Sequence, residues 1–161
     1  PYAGQVIARF REAFKDIKGI DFQWNAKNAI ASVFFDTTPY AGATTSQVLG
    51  LNGTVFVDTI MNREICDAAG NCEEAFSNKA AVIANTGIHE LGHALGLIEH
   101  SPSPGNYMFS FEGKQVPTTI EGLRERMRSH EGQETFDSDQ IEEMTNYMTN
   151  SRLGGASTIT F

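Results

Sequence analysis

The stretch from Ser77 to Leu95 constrains this chain more than any other. Ala84, Ile88, Leu91 and Leu95 recur at helical spacing, so it reads as a long helix with that stripe turned into a core. Ser77 is of a residue type that caps helix starts, and Gly96 is a natural stop, since glycine takes the left-handed conformation without steric cost. Such a helix needs partners on its apolar face. Gln5 to Lys18 supplies one, an amphipathic helix with Val6, Phe10, Phe14 and Ile17 on one stripe, ended by Gly19. "IDFQW" alternates apolar and polar residues, and "AIASVFF" is a more fully apolar strand candidate. In "QVLGLNGTVFVD" the pair Asn52-Gly53 sits between two β-rich runs and predicts a hairpin. After the central helix, Thr118 with Glu121 forms a capping-box pattern for a helix to about Ser129. Asp137 with Gln140 forms another, with Phe136 able to staple onto Ile141, for a last helix to about Thr149. The tail "SRLGGASTITF" reads as linker. Strands precede helices around a central helix, which predicts an α+β or α/β layered domain.

The 161 residues suit one domain. A net charge of -8 argues against a nucleic-acid partner, and no apolar run is long enough to span a bilayer. The chain opens at Pro1-Tyr2 without a secretion signal, which suggests a processed or trimmed domain. Its two cysteines, Cys66 and Cys72, stand in "CDAAGNC", a spacing that matches neither zinc-ribbon nor C-x-x-C patterns. A disulfide closing a loop turned by Gly70-Asn71 is expected, and with it an oxidising, extracellular setting. A monomer is the default expectation.

Chemistry concentrates in "HELGHALGLIEHS", where three of the four histidines fall between residues 89 and 100. His89 and His93 are four apart, so on a helix they project from one face and can share a metal ion. Glu90 stands where its carboxylate can reach a water on that metal. Zinc brings such a water's pKa to roughly 7, and Glu90 would act as general base and then as proton donor to the leaving amine. For a third ligand the chain offers Glu99 and His100 side by side, and zinc accepts either carboxylate or imidazole. His130, alone in "RSHEGQE", is expected on the solvated surface.

This stretch resembles the metzincin signature H-E-x-x-H-x-x-G-x-x-H, and its matrixin branch in particular. "HSPSPGNYMF" continues much as matrixins do after their third histidine, through a serine and a proline loop to the Met-turn, which makes Met108 the candidate methionine. More weakly, "VIARFREAF", the strand ending "FVD" and the helix "FDSDQIEEMTNYM" occupy matching places. The resemblance implies an α+β zincin: a mixed, twisted five-stranded sheet with an antiparallel edge strand, an active-site helix, a Met-turn and a C-terminal helix. It would divide near Gly96 into an upper part, 1–96, and a lower part, 97–161. It implies zinc on His89, His93 and His100, and an extended peptide bound by strand addition along an edge from the Gln47–Asp58 region, with "QVLGL" as candidate. Met108 would form a hydrophobic floor beneath the ligands.

Two departures stand out. The family spacing puts the third ligand at Glu99, whereas the histidine lies one position later; a one-residue insertion after Gly96 aligns His100 with the "HS" of matrixins. The segment between Met108 and the last helix is also long, with the extra helix "TIEGLRERMRS", so pocket specificity does not carry over. Tyr107 and Phe109 read as packing residues. Structural calcium is common in that family, with Asp36, Asp58 and Asp67 as available oxygens, but no calcium-loop spacing is present. The expected function is a secreted zinc endopeptidase. The alternatives are a zinc-containing recognition module without turnover and a hydrolase of small non-peptide amides. A distant third ligand such as Glu125 is a variant of the peptidase reading.

Overall fold

In a computed structural model the described residues are 2–23, 25–27, 29, 31–39 and 45–150, together with the backbone of 157–160. In chain order the elements are α1 (Ala3–Ala13), β1 (Ile20–Gln23), β2 (Ala31–Asp36), β3 (Ser46–Leu49), β4 (Asn52–Phe56), α2 (Val57–Met61), β5 (Glu64–Cys66) and β6 (Cys72–Glu74). Then follow α3 (Lys79–Ala94), α4 (Ile120–Arg128), α5 (Ser138–Asn150) and β7 (Ser157–Thr160). The fold is α+β. Its main sheet has the order β1-β7-β2-β4-β3, parallel except for β3, which runs antiparallel at one edge.

The tail is therefore not all linker. Ser157–Thr160 pairs in parallel with both β1 and β2, joining them into one sheet. Four residues flanked by a glycine pair give too short a pattern to register, yet Thr-Ile-Thr has the β-branched composition of a strand. Residues 151–156 and 161, like Trp24 and Ile30 of the two expected early strands, lie outside the described residues.

The β3–β4 hairpin exists, but its turn is Gly50-Leu51, closed by the pair Leu49 and Asn52. Gly50 has φ 61°, and glycine at the first turn position is what a type II′ turn requires. Gly53 serves a different purpose, inside β4: a Cβ there would stand 3.0 Å from Glu90 Cβ, so the missing side chain lets α3 approach the sheet. β4 ends at Phe56, and Val57 and Asp58 open the short helix α2 instead of prolonging the strand.

Helix α1 is shorter than its apolar stripe, ending at Ala13, but Phe14 and Ile17 still reach the core from the turns before Gly19. Helix α3 is capped one residue later than expected. Asn78 accepts the Ala81 amide at 3.2 Å, because Ser77 gives both its amide and its hydroxyl to the Glu131 carboxylate. Its stripe of Ala84, Ile88, Leu91 and Leu95 is fully buried. Gly87 marks where α1, α3 and the sheet meet: a Cβ there would stand 2.7 Å from Phe10 Cζ and 3.4 Å from Val33 Cγ1. Phe10, Phe14, Phe22 and Phe136 form a connected aromatic cluster under that crossing.

Helix α4 likewise starts one residue later, with Thr119 accepting the Gly122 amide, and Thr118–Glu121 makes no capping box. The α5 box is half formed, since Gln140 Oε1 accepts the Asp137 amide. Cys66 and Cys72 are disulfide-bonded across the β5–β6 hairpin, in a loop that Asp67 stitches to Ala69 and Asn71. No helix among the described residues is long and apolar enough to cross a membrane.

Gly87→Ala tests the α1–α3 crossing. Overpacking against Phe10 should cost about 1–3 kcal/mol, outweighing the roughly 1 kcal/mol that alanine adds to helix propensity. Denaturant unfolding should show that loss, and Phe10→Leu in the same chain should recover part of it. A Gly87→Ala chain as stable as the parent would overturn this account of the packing.

Candidate metal centre

Helix α3 carries His89 and His93 on its last turns and ends in a Schellman motif. The Gly96 amide bonds the His93 carbonyl at 3.1 Å, and the Leu97 amide bonds Gly92 at 3.0 Å, with Gly96 at φ 104°. The chain thus leaves the helix axis at once, and the following turn brings His100 back over it. Its Nε2 stands 3.3 Å from His93 Nε2, which is 3.1 Å from His89 Nε2. The three histidines are the one group of three or more potential metal donors among the described residues. Glu99 and Glu125 are exposed and outside that group, and the three half-buried aspartates are outside it too. Of the two neighbours, the structure brings in His100.

Proton placement follows from the acceptors. His89 Nδ1 lies 2.8 Å from the Tyr107 carbonyl and His93 Nδ1 2.6 Å from the Leu97 carbonyl. A carbonyl oxygen only accepts, so each Nδ1 holds a hydrogen, and in the neutral ring that leaves the lone pair on Nε2. His100 Nδ1 faces the Glu112 carboxylate at 3.5 Å. Lone pairs converging on one point repel unless a cation lies among them. Tetrahedral zinc, at about 2.0–2.1 Å from imidazole nitrogen, sets its ligands roughly 3.3 Å apart. The donor set and its spacing therefore fit such an ion. Burial lowers the His89 pKa to about 4, so its imidazole is neutral, as a ligand must be, at ordinary pH.

Glu90 reaches to β3 and is 6% exposed, and the charges of His93 and His100 act on its carboxylate. Ser46 donates its hydroxyl to Glu90 Oε1 at 2.6 Å. Burial raises the Glu90 pKa while that hydrogen bond pulls it down. Nothing in the sequence marked Ser46 as the carboxylate's partner. For Gly53 the signal was there: a glycine inside a strand often marks a close approach.

The residues after the ligands form a compact turn. Asn106 Oδ1 accepts the Met108 amide, the Phe109 amide bonds the Asn106 carbonyl, and Ser101 bonds back to Met108. Met108 is fully buried, and its sulfur lies 2.6 Å from where a Gly92 Cβ would be. A glycine between the two helical ligands is what lets the thioether sit directly beneath that turn. Tyr107 and Phe109 are buried packing residues.

A cavity of about 1080 Å³ adjoins the metal centre at His89, lined by Ser46, His89, Leu123, Met127, His130 and Glu134 among others. Helix α4 forms one wall, tied to β6 by a two-pronged ion pair from Arg124 to Glu73 at 2.8 and 2.7 Å. His130 is not a solvated surface residue. It is half-buried against the Phe111 ring, and burial lowers its pKa. Glu134 is 5% exposed, and burial pushes its pKa up to about 8, with Arg9 pulling the other way. Compared with models of protein families, with curated proteins and with solved structures, the chain shows no match in any of the three.

Two measurements follow. His100→Ala should weaken zinc binding, read by chelator competition, by more than the roughly 10–100-fold that losing an outer hydrogen bond costs, and Glu99→Ala should leave it unchanged. Glu134 binds its proton more tightly in the folded than in the unfolded chain, so its contribution to stability is full below pH ~4.5 and is lost as pH rises through about 8. His89 and His130 act oppositely at lower pH, since their folded pKa values are depressed. Between pH 6.5 and 8.5 the metal-free chain should therefore lose thermal stability, and Glu134→Gln should flatten that part of the profile. Parallel profiles would refute the assignment.

Proposed function

We propose that the chain is a zinc-dependent endopeptidase of the metzincin kind, acting on extended peptides outside the cell. The observation that carries this reading is one juxtaposition. Three imidazoles converge beside a buried acid, Glu90, whose hydrogen-bond partner Ser46 belongs to the edge strand β3. Zinc held by His89, His93 and His100 would supply a Lewis acid that polarises the scissile carbonyl and acidifies a water.

The remaining work falls to the protein. Ser46 fixes one carboxylate oxygen of Glu90, leaving Oε2 to take the proton of the attacking water and then deliver it to the leaving amine. Burial favours this, because a carboxyl with a raised pKa holds a transferred proton long enough to pass it on. Strand β3 has one ladder edge paired with β4 and is last in the sheet order, so an extended substrate can add to it. The same edge begins at Ser46, which aligns the bound peptide with the base. A structural zinc site normally has four protein ligands, whereas three donors converge here among the described residues; that difference favours turnover over a purely structural metal. The Cys66–Cys72 disulfide is compatible with secretion.

Casein digestion by the zinc-loaded chain is the test. Glu90→Gln should lower the rate by roughly 10²–10⁴-fold with zinc still bound, and a chelator should abolish it. A folded, zinc-loaded parent that cuts neither casein nor a mixed peptide library would favour a recognition module instead.

A further inference from the structure

The cavity beside His89 contains an anomaly that the chemistry above does not use. Glu134 is almost wholly buried and lines the cavity, and no hydrogen bond or ion pair engages its carboxylate among the described residues. Arg9, the cation that acts on it, is committed elsewhere: its Nη1 donates to Asn85 Oδ1 and to the Gly132 carbonyl, each at 2.9 Å. A buried carboxyl without a partner neutralises itself by keeping its proton, as the raised pKa of Glu134 indicates, and it ionises when a cation from outside the chain is brought against it.

We infer that this cavity is a specificity pocket for a cationic side chain, lysine or arginine, on a substrate residue flanking the scissile bond, with Glu134 as its counter-ion. The inference rests on the peptidase reading. Three features of the lining support it. Thr45 and Ser46 at the start of the edge strand and His89 at the metal centre share the cavity, so a peptide laid along β3 past the histidines passes its mouth. Phe76, Val82, Leu123 and Met127 give apolar walls that suit the methylene stem of a long cationic side chain. The other charges cancel: Arg63 and Arg126 against Glu64 and Glu112, both acids being exposed. Arg126 is further occupied by the Phe111 ring and the Gln115 carbonyl. His130, kept neutral by burial, adds no positive charge. Glu134 is therefore the group that can supply a counter-charge inside the pocket. A cationic substrate residue draws the proton off it and forms a buried ion pair, whereas an acidic or aliphatic residue offers the carboxyl no such partner.

The zinc-loaded chain is incubated with a mixed peptide library and cleavage sites are read by mass spectrometry. Lysine or arginine should be preferred over leucine at one flanking position by about 30-fold or more, the scale set by pairing a buried charge. In Glu134→Gln that ratio should collapse toward one, and Glu134→Lys should shift the preference to aspartate and glutamate. Cleavage with an aliphatic preference that Glu134→Gln leaves alone would overturn the pocket assignment while the peptidase reading stood. A second measurement does not depend on turnover. n-Butylguanidinium chloride should raise the thermal midpoint of the parent and not that of Glu134→Gln. If nothing is cleaved, the peptidase reading falls and this shift alone decides the pocket: a Glu134-dependent shift upholds a cation site, and no shift overturns it.

Discussion

Helix α3 stops at Ala94 because Gly96 turns left-handed, and the whole centre depends on that stop. The two Schellman hydrogen bonds satisfy the last carbonyls and redirect the chain within one residue. Two consequences follow from the one turn. The Leu97 carbonyl is left where it receives the His93 Nδ1 proton, and His100 is carried back over the helix toward His89 and His93. A helix continued by one more turn would provide neither. The centre is thus built by ending a regular element at the right residue, with the backbone itself fixing the tautomers of two of the three imidazoles.

Close approach does the rest. Gly53, Gly87 and Gly92 each stand where a side chain would collide, with Glu90, Phe10 and Met108 respectively. Together they set the height of α3 over the sheet, over α1 and over the Met108 turn. Glu90 is pressed between β4 and the hydroxyl of Ser46, so its orientation is a product of packing as much as of hydrogen bonding. The donor geometry inherits the rigidity of a close-packed interior.

What the sequence made legible was whatever repeats with a period or sits at a fixed offset. The stripe of α3, the histidine pair and the β3–β4 hairpin all belong to that class. The third donor was legible as a choice between Glu99 and His100, and only the path of the Gly96 turn separates them. The errors share a cause. Asn52-Gly53 looked like a turn because local chemistry cannot distinguish a glycine that bends the chain from one that admits a neighbour. His130 looked exposed because its burial comes from Phe111 and the cavity lining, far from its own short context. Ser46 and Glu134 were invisible, since their roles arise from a partner 44 residues away in one case and from the lack of a hydrogen-bond partner among the described residues in the other.

The position of β7 bears on how the chain reaches this state. β1 and β2 follow one another in the chain yet do not pair; the strand between them is Ser157–Thr160, so Ile20 waits for Ser157 and Ala31 for Ile159. Closing so long a loop draws on chain entropy before any ladder bond repays it. The β2–β4–β3 half, with its local hairpin, can form early around α3, whereas β1 joins the sheet only when the distant strand arrives. The centre on α3 is therefore anchored to the early half, and the last closure occurs on the far side of the sheet from the edge where a substrate would bind.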